Sequence, residues 1–135
     1  MTPLRLPRAL FEDLLEEARR ALPNECCGLL AGRGRTVSRV FRASNAQPSP
    51  SSYKIRPREL FALFRQMRAE NLELVGIYHS HPAGENYPSA RDRARAYYPD
   101  AAYVIVSLRA GAPQPLRAFR LAEESVEEIP VEIAD

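Results

Sequence analysis

Apolar residues fall at Leu10, Phe11, Leu14, Leu15 and Ala18, the spacing of one helix face. A helix is therefore predicted over Arg8–Ala21, stopped by Pro23, with Glu16 and Arg20 one turn apart on its solvent side. The pattern then changes to unbroken apolar runs and to alternation. Cys26–Ala31 (CCGLLA) reads as a buried strand, Gly32-Arg33-Gly34 as a turn, and Thr36–Ala43 as the returning strand. Prolines and small polar residues make Ser44–Ser52 a loop. A second helix is predicted from Pro57, in its first turn, to near Glu70, with Leu60, Phe61, Phe64 and Met67 on its apolar face.

Leu72–Tyr78 (LELVGIY) reads as a strand that runs straight into His79-Ser80-His81-Pro82. A loop with proline and glycine follows, then a short helix beginning near Ser89. Ala101–Leu108 (AAYVIVSL) is the most apolar strand and is placed in the middle of a sheet. Arg109–Pro115 turns the chain and Leu116–Leu121 pairs back. Ile129, Val131 and Ile133 alternate in a last strand, which Pro130 confines to a sheet edge. This order predicts an α/β (α+β) fold, a mixed central sheet flanked by helices.

The 135 residues fit one compact domain, 1–135, and are too few for a barrel of about 250 residues and the enzymes built on it. An apolar share of 45% with 27% charged residues is ordinary for a soluble globular protein. No apolar run approaches the ~18 residues of a membrane span, and the N-terminus lacks a signal-peptide stretch. A cytoplasmic protein without a membrane partner is expected. The net charge of +2 is too small to argue for nucleic acid. Every basic residue but Lys54 is an arginine. Cys26 and Cys27 are neighbours, so they build no disulfide framework, and on a strand they point to opposite faces and pack.

The two histidines of the chain, His79 and His81, lie two residues apart. Strand side chains alternate, so both imidazoles face one side, close enough to share a metal ion. A catalytic zinc takes three protein ligands, and Asp92, in the first turn of the helix after Ser89, is the candidate third. Two imidazoles and a carboxylate suit zinc better than magnesium or calcium. Ser89-Ala90-Arg91-Asp92 equally fits a helix capping box, a reading that competes for the same carboxylate.

These residues carry a resemblance. Glu25, then His79-Ser80-His81-Pro82, Ser89 and Asp92 resemble, without departure in spacing, the motif of the JAMM (MPN+) zinc metalloprotease family. The stretch Glu25-Cys26-Cys27-Gly28-Leu29-Leu30 is similar to that family's first strand. The resemblance implies an MPN, cytidine-deaminase-like fold. It also implies one Zn²⁺ per chain on His79, His81 and Asp92, Glu25 as the general base, and Ser89 as a hydrogen-bond donor to the oxyanion. Read without it, Glu25 is a solvated residue after a Pro-Asn turn. Ser80, between the ligands, points to the opposite face.

The family cuts amide bonds after the C-terminal Gly-Gly of ubiquitin-like proteins, an extended tail that could lie beside a sheet edge. The short chain has no spare histidine for a second zinc, so it resembles the small prokaryotic enzymes that act on ubiquitin-like sulfur carriers. Two alternatives share the fold: a metal-free interaction module, and a DNA-repair-associated branch echoed by Pro82-Ala83-Gly84. Intact ligands oppose the first. The near-neutral charge opposes the second, so no nucleic-acid partner is expected. A zinc deaminase is excluded by the missing Pro-Cys-x-x-Cys pair. The oligomeric state, a homodimer included, stays open.

Overall fold

The computed structural model describes residues 1–135. The elements in order are β1 (Leu4–Pro7), α1 (Arg8–Ala21), β2 (Cys27–Arg33), β3 (Thr36–Ala43), α2 (Pro57–Ala69), β4 (Glu73–His81), α3 (Ala90–Ala94), β5 (Ala102–Ser107), β6 (Leu116–Ala122), β7 (Ser125–Ile129) and β8 (Val131–Ala134). The strands form one mixed sheet in the order β7-β6-β5-β4-β2-β3-β1-β8, flanked by helices as expected. No helix is long and apolar enough to cross a membrane.

Helix α1 buries its predicted face. Helix α2 packs Leu60, Phe64 and Met67 against the sheet, but Phe61, expected on the same face, stands exposed at 64% because its position turns it to solvent. Leu14 and Ala18 of α1 pack with Leu4, Leu6, Val104 and Val106 on one side of the sheet. Met67 of α2 packs with Leu29, Phe41, Ile77 and Ile105 on the other. Strand β5 is buried along its whole length because alternate side chains enter these two cores.

Several features differ from expectation. Gly32 and Arg33, expected in a turn, continue β2, which leaves Gly34-Arg35 to turn the chain. Leu4 and Leu6 form β1, a strand with no counterpart in the expectation; its four residues follow Pro3 and end in Pro7, too short a run to show a period. The expected last strand is two strands divided at Pro130, because proline has no N–H to continue the ladder. β7 and β8 stand at opposite ends of the strand order yet only Pro130 separates them, so the sheet curls until its outer strands meet. The Pro130 carbonyl accepts the Leu4 N–H at 2.8 Å, a bond that begins the parallel pairing of β8 with β1. Finally, β4 extends through His81, three residues past the predicted end.

A bulge sets which way the histidines point. Leu30 pairs with Gly76 but Ala31 with Leu74, so Val75 is an extra residue. Val75 and Tyr78 thus face the α1 core, while Leu74 and Ile77 face α2. His79 and His81 continue the Ile77 side. Gly76 sits against β5, where an added Cβ would lie 2.7 Å from the Ala102 carbonyl oxygen. Gly76→Ala is expected to destabilise the fold by about 1–3 kcal/mol, read as a lower urea midpoint.

Candidate metal centre

The strand register fixes His79 from both sides, opposite Cys27 of β2 and Ile105 of β5, while His81 lies opposite Ser107. Asp92 arrives from the first turn of α3. One ligand atom from each of His79, His81 and Asp92 falls within 4.8 Å of the others. His79 Nε2 lies 3.2 Å from Asp92 Oδ1, His81 Nε2 lies 3.2 Å from Asp92 Oδ2, and the two Nε2 atoms are 3.0 Å apart.

The outer contacts orient these groups. His81 Nδ1 donates to the Glu85 carbonyl at 2.7 Å, which leaves Nε2 of the neutral ring as a lone-pair donor toward the cluster. The loop carrying Glu85 is tied down by Ser107 Oγ, donating to the Gly84 carbonyl at 2.7 Å, and by Asn86 Nδ2, donating to the Gln114 carbonyl at 2.6 Å. Tyr53 stacks on the His79 ring, centroids 4.7 Å apart and planes 25° off parallel. The tyrosine lies just beyond the Ser44–Ser52 loop. Nothing in the local sequence marks it, because the contact is made by a residue 26 positions away.

Burial holds His79 below its usual pKa despite the facing Asp92. Burial also opposes charge on His81, yet Asp92 and the Glu85 carbonyl outweigh it and raise the pKa. Asp92 is likewise partly buried, but the two imidazoles and the Ser89 N–H hold its carboxyl well below the usual range. It is an anion at neutral pH, facing two ring nitrogens.

The two readings of Ser89-Ala90-Arg91-Asp92 prove compatible. Ser89 Oγ accepts the Asp92 N–H at 3.1 Å, and Asp92 Oδ2 accepts the Ser89 N–H at 2.9 Å, a complete capping box. The same carboxylate turns both oxygens to the imidazoles. Each oxygen has more than one lone pair, so capping aims the carboxylate at the histidines.

Glu25, just ahead of β2, is buried at 5% exposure. Its N–H donates to the Ser49 carbonyl at 2.8 Å and its carbonyl accepts Asn45 Nδ2 at 3.2 Å, so the Ser44–Ser52 loop holds it in place. Burial pushes its carboxyl up to about 7, against the pull of His81. Glu25 Oε1 has no hydrogen-bond partner, and the carboxyl stands outside the three-donor set. The solvated reading of this residue is thereby corrected: the chain after the Pro-Asn turn folds inward beneath the loop. Ser80 faces the other side, its Oγ accepting the Cys26 N–H at 2.9 Å. Both cysteines are buried, outside the donor set, their thiols pushed up by burial to about 11 and about 12.

Two nitrogens and an anionic oxygen on a rigid base match the donor preference of zinc. An unpartnered buried carboxylate oxygen nearby fits a site built to meet a water or substrate atom.

Residues 7–122 match the family described as prokaryotic homologs of the JAB domain. The CysO-cysteine peptidase of Mycobacterium tuberculosis is 38% identical over 93% of this chain and 88% of its own length. A protein of Thermus thermophilus, named a probable TtuB-protein conjugate cleaving protease, is 39% identical over 89% of this chain and 77% of its own. A solution structure from Desulfitobacterium hafniense superimposes with a TM-score of 0.85 at 36% identity, covering 97% of this chain and 92% of that one. With its histidine pair, capped aspartate and buried glutamate, the chain belongs to the family of prokaryotic JAB-domain homologs.

Proposed function

We propose that the protein is a zinc-dependent peptidase that hydrolyses the amide bond after the C-terminal Gly-Gly of a ubiquitin-like or sulfur-carrier protein. The observation that carries this reading is the convergence of two imidazoles and a carboxylate beside a buried carboxyl with a raised pKa. Membership of a family whose relatives are named for a CysO–cysteine substrate and for TtuB–protein conjugates supports the substrate class. The chain is thus a hydrolase.

His79, His81 and Asp92 would hold one zinc ion per chain. When bound, the ion supplies a Lewis acid that lowers the pKa of water from about 16 toward about 7. Glu25 acts as the general base. Its carboxylate takes a proton from the attacking water and later delivers it to the leaving amine as the C–N bond breaks. The products are the carrier's free carboxylate and the amine. Ser89 Oγ already accepts the Asp92 N–H, which leaves its hydroxyl hydrogen for the carbonyl oxygen as negative charge grows there.

Ser89→Ala is expected to lower the rate about 10²–10³-fold and stability by about 1 kcal/mol. A stability loss with a normal rate would confine Ser89 to capping. The reading as a whole is tested by incubating the protein with each ubiquitin-like carrier of the same organism, fused through Gly-Gly to a short peptide. Cleavage after the glycines that stops with chelator is expected; chelator-insensitive cleavage, or cleavage of unstructured peptides without a carrier, would overturn it.

A further inference from the structure

The cations of this protein are unevenly used. Arg5, Arg8, Arg39, Arg42, Arg109 and Arg117 each face a carboxylate within 3.5 Å. Lys54, Arg56, Arg58, Arg91 and Arg95 are exposed and join no ion pair; Arg33, Arg65, Arg68 and Arg120 are exposed and unpaired as well, but it is Lys54 and Arg95 that line the pocket beside the metal centre. The first five come from two stretches distant in sequence, the approach to α2 and helix α3 with its C-cap. Acids in the same stretches are largely committed elsewhere. The Glu59 carboxylate accepts the Ser44 N–H, Glu70 pairs with Arg39, and Asp92 faces the histidines, leaving Asp100.

The fold brings the two stretches together. Lys54, Leu60 and Arg95 line a single pocket of about 380 Å³ with Tyr53, Tyr97 and Tyr98. Tyr53 is also the ring stacked on His79, so the pocket and the metal centre share a wall. Arg91 lies close enough to Glu25 to lower its pKa. Tyr97 stands exposed at 73% in this pocket, and Phe61, exposed at 64% on α2, lies under the Arg65 guanidinium.

We infer that this surface, running from Arg91 past Arg95 and Lys54 to Arg56 and Arg58, docks an acidic face of the folded carrier protein. The inference rests on the peptidase reading and adds the part of the substrate recognised outside the tail. A carrier whose C-terminus enters the centre must present its globular body to whatever flanks that centre, and the flank is cationic with aromatic anchors. Unpaired cations at a rim raise the encounter rate and select partners of opposite charge. The same charges placed on a protein of net charge +2 form a local patch, suited to a folded acidic partner.

The test measures binding of a net-acidic carrier, fused through Gly-Gly to a short peptide, to the full chain at about 50 mM and about 500 mM salt. Arg56→Glu with Arg58→Glu is the principal variant, since acids at a helix N-terminus are compatible with the helix dipole. Lys54→Glu is the second variant, and Arg19→Glu with Arg20→Glu on α1 is the control. Weakening of about tenfold or more is expected in the principal variant, less in the second, and none in the control. High salt is expected to weaken the wild type by a comparable factor and the principal variant little. Carrier binding and cleavage that ignore both charge reversals overturn this surface while leaving the peptidase reading intact. Absence of zinc-dependent cleavage of any carrier overturns that reading and the inference with it. A 20-base DNA bound more tightly than the carrier, and released by the same reversals, assigns the surface to nucleic acid instead.

Discussion

Glu25→Gln is expected to leave one zinc per chain in place while kcat falls by about 10²–10⁴-fold. The residue stands outside the three-donor set, so its change leaves His79, His81 and Asp92 untouched. The contacts that anchor it run through its backbone to Ser49 and Asn45, so glutamine keeps the local fold. What is lost is the carboxylate that, in the proposed mechanism, accepts and returns a proton. Metal analysis and turnover on the same preparation check this, and full activity in the variant would remove Glu25 from the chemistry.

The same substitution has a signature in the metal-free protein. Burial raises the Glu25 carboxyl from 4.5 to about 7, so the folded state keeps a proton that the unfolded state releases first. Stability then falls as pH rises from about 4.5 to about 7, by on the order of 3 kcal/mol from this group. Glutamine carries no such titration. Across that window the stability difference between wild type and variant should move toward the variant, measured by urea unfolding in chelator.

Replacing both His79 and His81 by alanine is expected to abolish zinc binding and turnover together. Two of the three donors disappear, and a lone carboxylate holds zinc weakly. Zinc should raise the thermal midpoint of the wild type, because an ion bound only by the folded state stabilises it, and should leave the double variant unmoved. Stoichiometric zinc in the purified double variant would place the ion elsewhere and sink the centre as described.

Both tests depend on a geometry that the two ends of the motif reach differently. The histidine pair is legible in advance because residues i and i+2 of any strand share a face, whatever the strand pairs with. Asp92 is legible only as an ambiguity, cap or ligand. Its carboxylate caps the helix and also faces both imidazoles, since helix α3 is carried over the end of β4 and the capping geometry points the oxygens at them. Glu25 read alone looks solvated. Its burial comes from Asn45 and Ser49, about twenty residues downstream, and no local pattern encodes that.

Local periodicity in the chain was enough to set α1 over Arg8–Ala21, β3 over Thr36–Ala43, the mixed α/β class and the shared face of His79 and His81. Those properties follow from repeat distances of a few residues. Long-range packing decided the rest: the short β1, the Val75 bulge, Tyr53 over His79, and the cationic rim drawn from two separate stretches. Each of these needs partners far apart in sequence, whose free energy exists only once the sheet has assembled.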